Sequence, residues 1–161
     1  VGNARLVAEL ARASGTVGGM IAGQVHDIEG EHKPPTAELL DRIHRAKTGA
    51  LLKVSVRMGA IYAEASEAQL DALTRYGEHI GLAFQIVDDI LDVVQSSEAL
   101  GKTAGKDAEQ HKITFPAVYG LERSREMAEQ ERERAHEALT GFGAEAARLR
   151  ELADLIVERK A

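Results

Sequence analysis

Apolar residues recur at intervals of three, four and seven along most of the chain, the period of helices with one buried face. Leu6, Leu10, Val17, Ile21 and Ile28 predict a first helix over residues 4–28. Gly15, Gly18, Gly19 and Gly23 fall inside it. Each weakens a helix by about 1 kcal/mol relative to alanine, so their number predicts a close approach by another backbone. The break at residues 30–35 ends in two prolines, and Thr36 is a suitable N-cap for a second helix over 36–63. Its stripe is Leu39, Ile43, Ala50, Val54, Met58 and Ile61. A third helix, 66–94, carries Leu73, Ile80, Phe84, Val87 and Leu91, and residues 95–111 read as a polar loop. A short helix over 116–121 and a charged one over 122–139 follow. The latter has Glu122/Arg125, Glu129/Arg132 and Glu131/Arg134 spaced to pair one turn apart. Gly141 and Gly143 break it, and a last helix over 144–159 turns Leu149, Leu152 and Ile156 inward. No alternating apolar and polar run predicts a sheet, and no internal repeat occurs. The expected fold is an all-α helical bundle.

Composition narrows the class. The chain has 161 residues, 44% hydrophobic and 29% charged, with a net charge of −6 and no cysteine. That length is one domain or part of one. The absence of cysteine excludes disulfides and zinc–thiolate sites and fits a reducing, cytoplasmic location. The acidic balance argues against nucleic acid as a partner. No apolar run reaches the roughly 18 residues of a membrane span, and no signal or transit peptide is recognisable. Val1 opens in mid-pattern without an N-cap, so a piece of a longer chain is expected.

Polar residues in apolar surroundings mark the candidate chemistry. Gln85, Asp88 and Asp92 share one helix face, with Asp89 beside it, in a segment otherwise apolar nearly all round. Such a helix is normally buried, and three carboxylates there repel one another. Their place near the expected helix C-terminus adds an unfavourable dipole. A cation removes both penalties, and carboxylates spaced i, i+4 suit Mg²⁺. The competing interpretation is a solvated acidic helix end. Lys47 stands on the stripe of the second helix, flanked by Ile43, Ala50, Leu51 and Val54. It needs an anion, a salt bridge, or a path for its ammonium to water. Thr48 and Gly49 follow it. Gln24 lies between Ile21 and Ile28, where a satisfied core amide is the simpler interpretation, and Asp27 is one turn on. Lys102, Lys106 and Lys112 put positive charge in the loop after the acidic stripe. Mg²⁺ and a diphosphate bridging that stripe to Lys102 and Lys112 account for the pairing, while Lys106 suits a solubilising role. His26, His32, His44, His79, His111 and His136 have no ligand spacing and read as surface or structural residues.

Taken together, these segments resemble the trans-isoprenyl diphosphate synthases of the farnesyl and geranylgeranyl type. Gly81-Leu82-Ala83-Phe84-Gln85-Ile86-Val87-Asp88-Asp89-Ile90-Leu91-Asp92 resembles the second aspartate-rich motif of that family. Gly23-Gln24 with Asp27 resembles its GGQxxD segment, with Ala22 in place of the first glycine. Lys47-Thr48-Gly49 matches KTG, Gly101-Lys102 with Gly105 and Asp107 resembles GKxxGxD, and Lys112 with Thr114-Phe115-Pro116 resembles KxTFP. The five occur in family order across nearly the whole chain.

The resemblance implies the isoprenoid (terpenoid) synthase fold and a Mg²⁺-dependent head-to-tail condensation. In it an allylic diphosphate ionises and alkylates isopentenyl diphosphate to give a polyprenyl diphosphate such as farnesyl or geranylgeranyl diphosphate. It implies that Asp88, Asp89 and Asp92 hold metal, and that Lys47, Lys102 and Lys112 hold diphosphate. Gln24 and Asp27 would support that wall, and Thr48 and Gln85 would set oxygen dipoles near developing positive charge. A homodimer is the implied assembly. The first aspartate-rich motif and the arginine pair after it are not found here, so residues 1–161 are expected to be the C-terminal half of one all-α prenyltransferase domain. That half is expected to be inactive alone and to leave apolar helix faces exposed. A class I terpene cyclase is disfavoured because such enzymes carry an NSE-type motif where this chain has Asp88 to Asp92. A non-catalytic helical subunit that modulates a complete synthase is disfavoured because scaffolding needs neither Lys47 and Lys102 nor Asp88 and Asp92.

Overall fold

Ser66 and Gln69 start the longest element of the protein. The Ser66 N–H donates to Gln69 Oε1 at 2.9 Å, and the Gln69 N–H donates to Ser66 Oγ at 3.3 Å. This reciprocal cap launches a 34-residue helix, about 51 Å long at 1.5 Å per residue. The computed structural model describes residues 2–31, 33–100 and 113–159. In chain order the elements are α1 (Gly2–Ser14), α2 (Met20–Gly30), α3 (Ala37–His44), a π-helical segment (Arg45–Gly49) and α4 (Ala50–Tyr62). Then come α5 (Glu67–Leu100), α6 (Phe115–Tyr119), α7 (Leu121–Ala138), a 3₁₀ turn (Ala144–Ala146) and α8 (Ala147–Glu158). No strand occurs among the described residues, in keeping with the all-α expectation.

Two boundaries and one inward position differ from the pattern-based expectation. The first helix is two helices. Gly18 adopts φ +69°, and a Cβ on Gly19 would lie 2.5 Å from the Arg12 carbonyl oxygen, so the glycines make a break. The third helix continues to Leu100, through residues expected to be loop. Asp88, Asp89 and Asp92 therefore lie well inside α5, and the dipole penalty expected of a helix end does not apply. In the last helix Leu152 is exposed, while Ile156 is buried as expected.

Helix α5 carries two apolar clusters. Tyr76, Ile80 and Ala83 pack with Ala135 and Leu139 of the α7 end and with Ala146, Ala153 and Ile156. Further along, Ile86, Val87 and Ile90 pack with Leu40 of α3, with Ile113 and Phe115, and with Ala128 of α7. Polar ties fasten the outer helices to this frame. Arg57 of α4 donates to both carboxylate oxygens of Glu9 in α1, at 2.8 and 2.9 Å, and to Thr74 Oγ1 of α5 at 2.6 Å. The Arg57 hydrogen bonds hold the Glu9 carboxyl below its ordinary range. Tyr76 donates to the Leu149 carbonyl at 2.6 Å and joins α5 to α8. The three expected pairs of α7, Glu122/Arg125, Glu129/Arg132 and Glu131/Arg134, all form. Asp154 Oδ1 of α8 lies 2.8 Å from His136 Nε2 of α7.

Candidate functional site

Lys47 and Thr48 occupy the π-helical segment between α3 and α4. A π-turn inserts one residue into an otherwise α-helical run and is frequent at functional sites. Glycines hold this one on two sides. A Cβ on Gly23 of α2 would come to 2.5 Å from Lys47 Cα. A Cβ on Gly81 of α5 would come to 3.0 Å from Gly49 Cα. The close approach predicted from the glycine-rich start is thus made at Gly23.

That sandwich aligns the polar groups. Lys47 Nζ donates to Asp27 Oδ2 across the α2 contact. The Lys47 side chain is about one-third exposed, so the pair faces solvent rather than core. Thr48 Oγ1 donates to Gln85 Oε1 of α5 at 2.9 Å. Gln85 Nε2 in turn donates to Asp89 Oδ1 at 3.1 Å. The Phe115 N–H, at the start of α6, donates to Asp89 Oδ2 at 2.9 Å. Thr114 caps α6 by accepting from the Ala117 N–H.

The aspartates of α5 separate in role. Asp88 is half-exposed, and its Oδ1 accepts from Arg159 Nη1 at 3.2 Å. Arg159 also donates to the carbonyl of Phe84, and its guanidinium lies 4.3 Å above the Phe84 ring centroid. Asp92 is exposed and pairs with nothing among the described residues. Asp89 is only 5% exposed, with both oxygens engaged by protein donors. Among the described residues no three acidic or histidine side chains converge as a ready metal cage. Asp88 and Asp92, one turn apart with hard oxygen donors on an accessible face, fit a partly hydrated Mg²⁺. Asp89 does not fit that task.

The other expected site residues divide. Gln24 is exposed, not a core amide. Lys102 and Lys112, with Lys106 and Asp107, lie outside the described residues. Sequence reasoning missed Arg159 and His44. His44 is 6% exposed and stacks on Phe115 with ring centroids 5.3 Å apart. Its Nε2 lies 3.4 Å from Asp89 Oδ2, within ion-pair reach, yet neither ring nitrogen makes a hydrogen bond. Its offset of four from both Leu40 and Thr48 was the available signal. For Arg159, 71 residues from Asp88, there was none.

Comparison with known proteins gives the family of the chain and supports its fold. A family model described as polyprenyl synthetase matches residues 2–156. Geranylgeranyl pyrophosphate synthase 12, chloroplastic, of Arabidopsis thaliana is 50% identical over 141 residues, covering 86% of this chain and 39% of the relative. Geranylgeranyl diphosphate synthase of Cyanophora paradoxa is 42% identical over 156 residues, covering 96% of this chain and 52% of the relative. Among solved structures, a decaprenyl diphosphate synthase from Rhodobacter capsulatus superposes with a TM-score of 0.84 at 29% identity. That match covers 99% of this chain and 61% of the other. An FPP/GFPP synthase from Zymomonas mobilis gives 0.79 at 34% identity, covering 97% and 50%. The chain spans about half the length of the curated relatives it matches, or less (39% and 52% for these two). From the arrangement of its helices and motifs and from these matches, the chain belongs to the polyprenyl synthetase family.

Proposed function

We propose that these residues form one wall of a prenyl diphosphate synthase, which condenses an allylic diphosphate with isopentenyl diphosphate. The observation that carries this reading is the hydrogen-bonded pair Thr48–Gln85. It joins Thr48, the neighbour of Lys47 on the π-helical segment, to Gln85, which shares a face of α5 with Asp88 and Asp92. Lys47, about one-third exposed and steadied by Asp27, holds an outer oxygen of the allylic diphosphate. Lys102 and Lys112 add further positive charge to the same group, and Gln24 lines the wall near Asp27. Thr48 and Gln85 turn fixed dipoles toward the carbon that becomes positive as the diphosphate leaves. Fixed dipoles of this kind need no reorganisation when charge develops. Asp88 and Asp92 would hold Mg²⁺, which supplies Lewis-acid assistance to the leaving diphosphate. Arg159 sits on Asp88 and must yield or share that carboxylate when the cation binds.

The whole protein, not this stretch alone, is the proposed catalyst. The stretch incubated with both substrates and Mg²⁺ is expected to give no condensation product, and product formation would refute that part. In the whole protein, Asp88→Asn is expected to weaken Mg²⁺-dependent pyrophosphate binding at least tenfold, about 1.4 kcal/mol, by calorimetry. Binding equal to the parent's would remove Asp88 from the metal set. The proposed assembly is a homodimer, checked by sedimentation. No helix among the described residues is long and apolar enough to cross a membrane. The proposed location is the cytoplasm. Some relatives are chloroplastic by name, so cell fractionation decides it.

A further inference from the structure

Asp89 stands next to the proposed metal ligand Asp88, yet its surroundings are of another kind. It is buried, its Oδ1 accepts from Gln85 Nε2 at 3.1 Å, and its Oδ2 accepts from the Phe115 backbone N–H at 2.9 Å. A backbone N–H can only donate, so Oδ2 is committed as an acceptor. At its other oxygen, Oδ1, Asp89 accepts from the Gln85 NH₂, and that bond turns the Gln85 Oε1 toward Thr48. Thr48 then has no choice but to donate, and the 2.9 Å bond from its Oγ1 fits that direction. With its proton spent on Gln85, the Thr48 hydroxyl presents lone pairs, not hydrogen, to its other side.

We propose that Asp89 is a positioning residue that sets the polarity of the Thr48–Gln85 pair, and not a ligand of the metal. It rests on the reading of those two side chains as dipoles facing the ionising substrate. The anchor of the whole chain is the main chain of α6 at Phe115. His44, with Nε2 3.4 Å from Oδ2 and its ring stacked on Phe115, walls off the same oxygen.

The inference makes an unusual demand of an isosteric change. In Asp89→Asn the new amide must keep its oxygen toward the Phe115 N–H, so its NH₂ faces Gln85. Gln85 must then flip, offering NH₂ to Thr48, and Thr48 must accept. Its proton swings outward, toward the developing cation. Shape is kept and polarity is reversed.

The test is made in the whole protein, with Asp88→Asn and Thr48→Val as companions. Asp89→Asn is expected to lower kcat about 100-fold, the lower end of what one lost electrostatic contact in an active site costs. Its affinities for Mg²⁺ and for pyrophosphate, measured by calorimetry, are expected to stay at the parent's values. The Gln85 side-chain NH₂ pair is expected to move in a ¹⁵N–¹H spectrum, a signature that a general loosening of the fold does not single out. Asp89→Asn losing Mg²⁺ affinity as Asp88→Asn does would overturn the inference and make Asp89 a ligand. An unmoved Gln85 NH₂ pair would also overturn it. Failure of the underlying reading looks different. Asp88→Asn would then keep Mg²⁺ affinity and Thr48→Val would keep turnover, whatever Asp89→Asn does to the Gln85 signal.

Discussion

A methyl group on Gly23 would come to 2.5 Å from Lys47 Cα, inside any real contact distance. Helix propensity alone favours Gly23→Ala by about 1 kcal/mol. The clash with backbone on the π-helical segment outweighs that, because the main chain cannot rotate away as a side chain can. Gly23→Ala is therefore expected to destabilise by about 1–3 kcal/mol, read from the urea midpoint. A stabilised variant would mean that α2 does not lean on the segment. Tyr76 offers a second residue-scale test. Burial, and then the nearby Asp154 charge, push its phenol up to about 12 from an ordinary 10.0. The folded state thus resists ionisation more than the unfolded one does. Its share of stability is present below pH 10 and is lost as pH rises from 10 toward 12. Tyr76→Phe removes that alkaline dependence, at a cost of about 1 kcal/mol for the bond to Leu149. Alkaline denaturation of the two proteins side by side measures both.

Helix α5 and helix α7 meet through a polar contact as well as apolar ones. Burial alone would raise the Glu131 carboxyl. The hydrogen bond and charge of His79, with those of Arg134, more than cancel that and leave it below its ordinary 4.5. Its contribution to stability is present above pH 4.5 and lost as pH falls below that value. Glu131→Gln is expected to flatten the acid limb of the stability curve, with little change in the alkaline limb. On the apolar side, Ile86 is fully buried. Ile86→Ala is expected to cost about 2–5 kcal/mol in a denaturant titration. The existence of these helices was legible because a 3.6-residue period survives in any single sequence. Their ends were less so. The break after α1 depends on Gly18 and Gly19 acting together, which propensity counts one residue at a time. Asp88 and Asp89 are neighbours in sequence, but about 100° of helical turn separates them. One therefore meets solvent and Arg159, the other Phe115 and His44. Which of the two turns inward depends on α6, an element that the helical pattern around them does not contain.

At the scale of the molecule, α1, α2 and the break between them leave apolar side chains uncovered. Val7, Leu10, Val17, Ile21, Val25 and Ile28 are all exposed. Faces of this kind drive association. The isolated stretch is expected to show concentration-dependent sedimentation, reduced by the pair Ile21→Lys and Ile28→Lys. Sedimentation as a single monomer at all concentrations would refute this. Leu10, Val17, Ile21 and Ile28 were legible as a stripe and exposed apolar faces were expected; that this stripe is one of them was not legible, because periodicity gives a face and not its partner. The long helix α5 has a different consequence. Gln85, Asp88 and Asp89 alternate along it with Ile86, Val87 and Ile90, which hold the core. These three polar groups have no hinge or loop of their own, so their alignment along α5 is lost only when the helix itself melts. Amide hydrogens along residues 85–90 then exchange with solvent only when the entire frame opens. Durability of the chemistry and durability of the architecture become a single quantity, and selection for one carries the other with it.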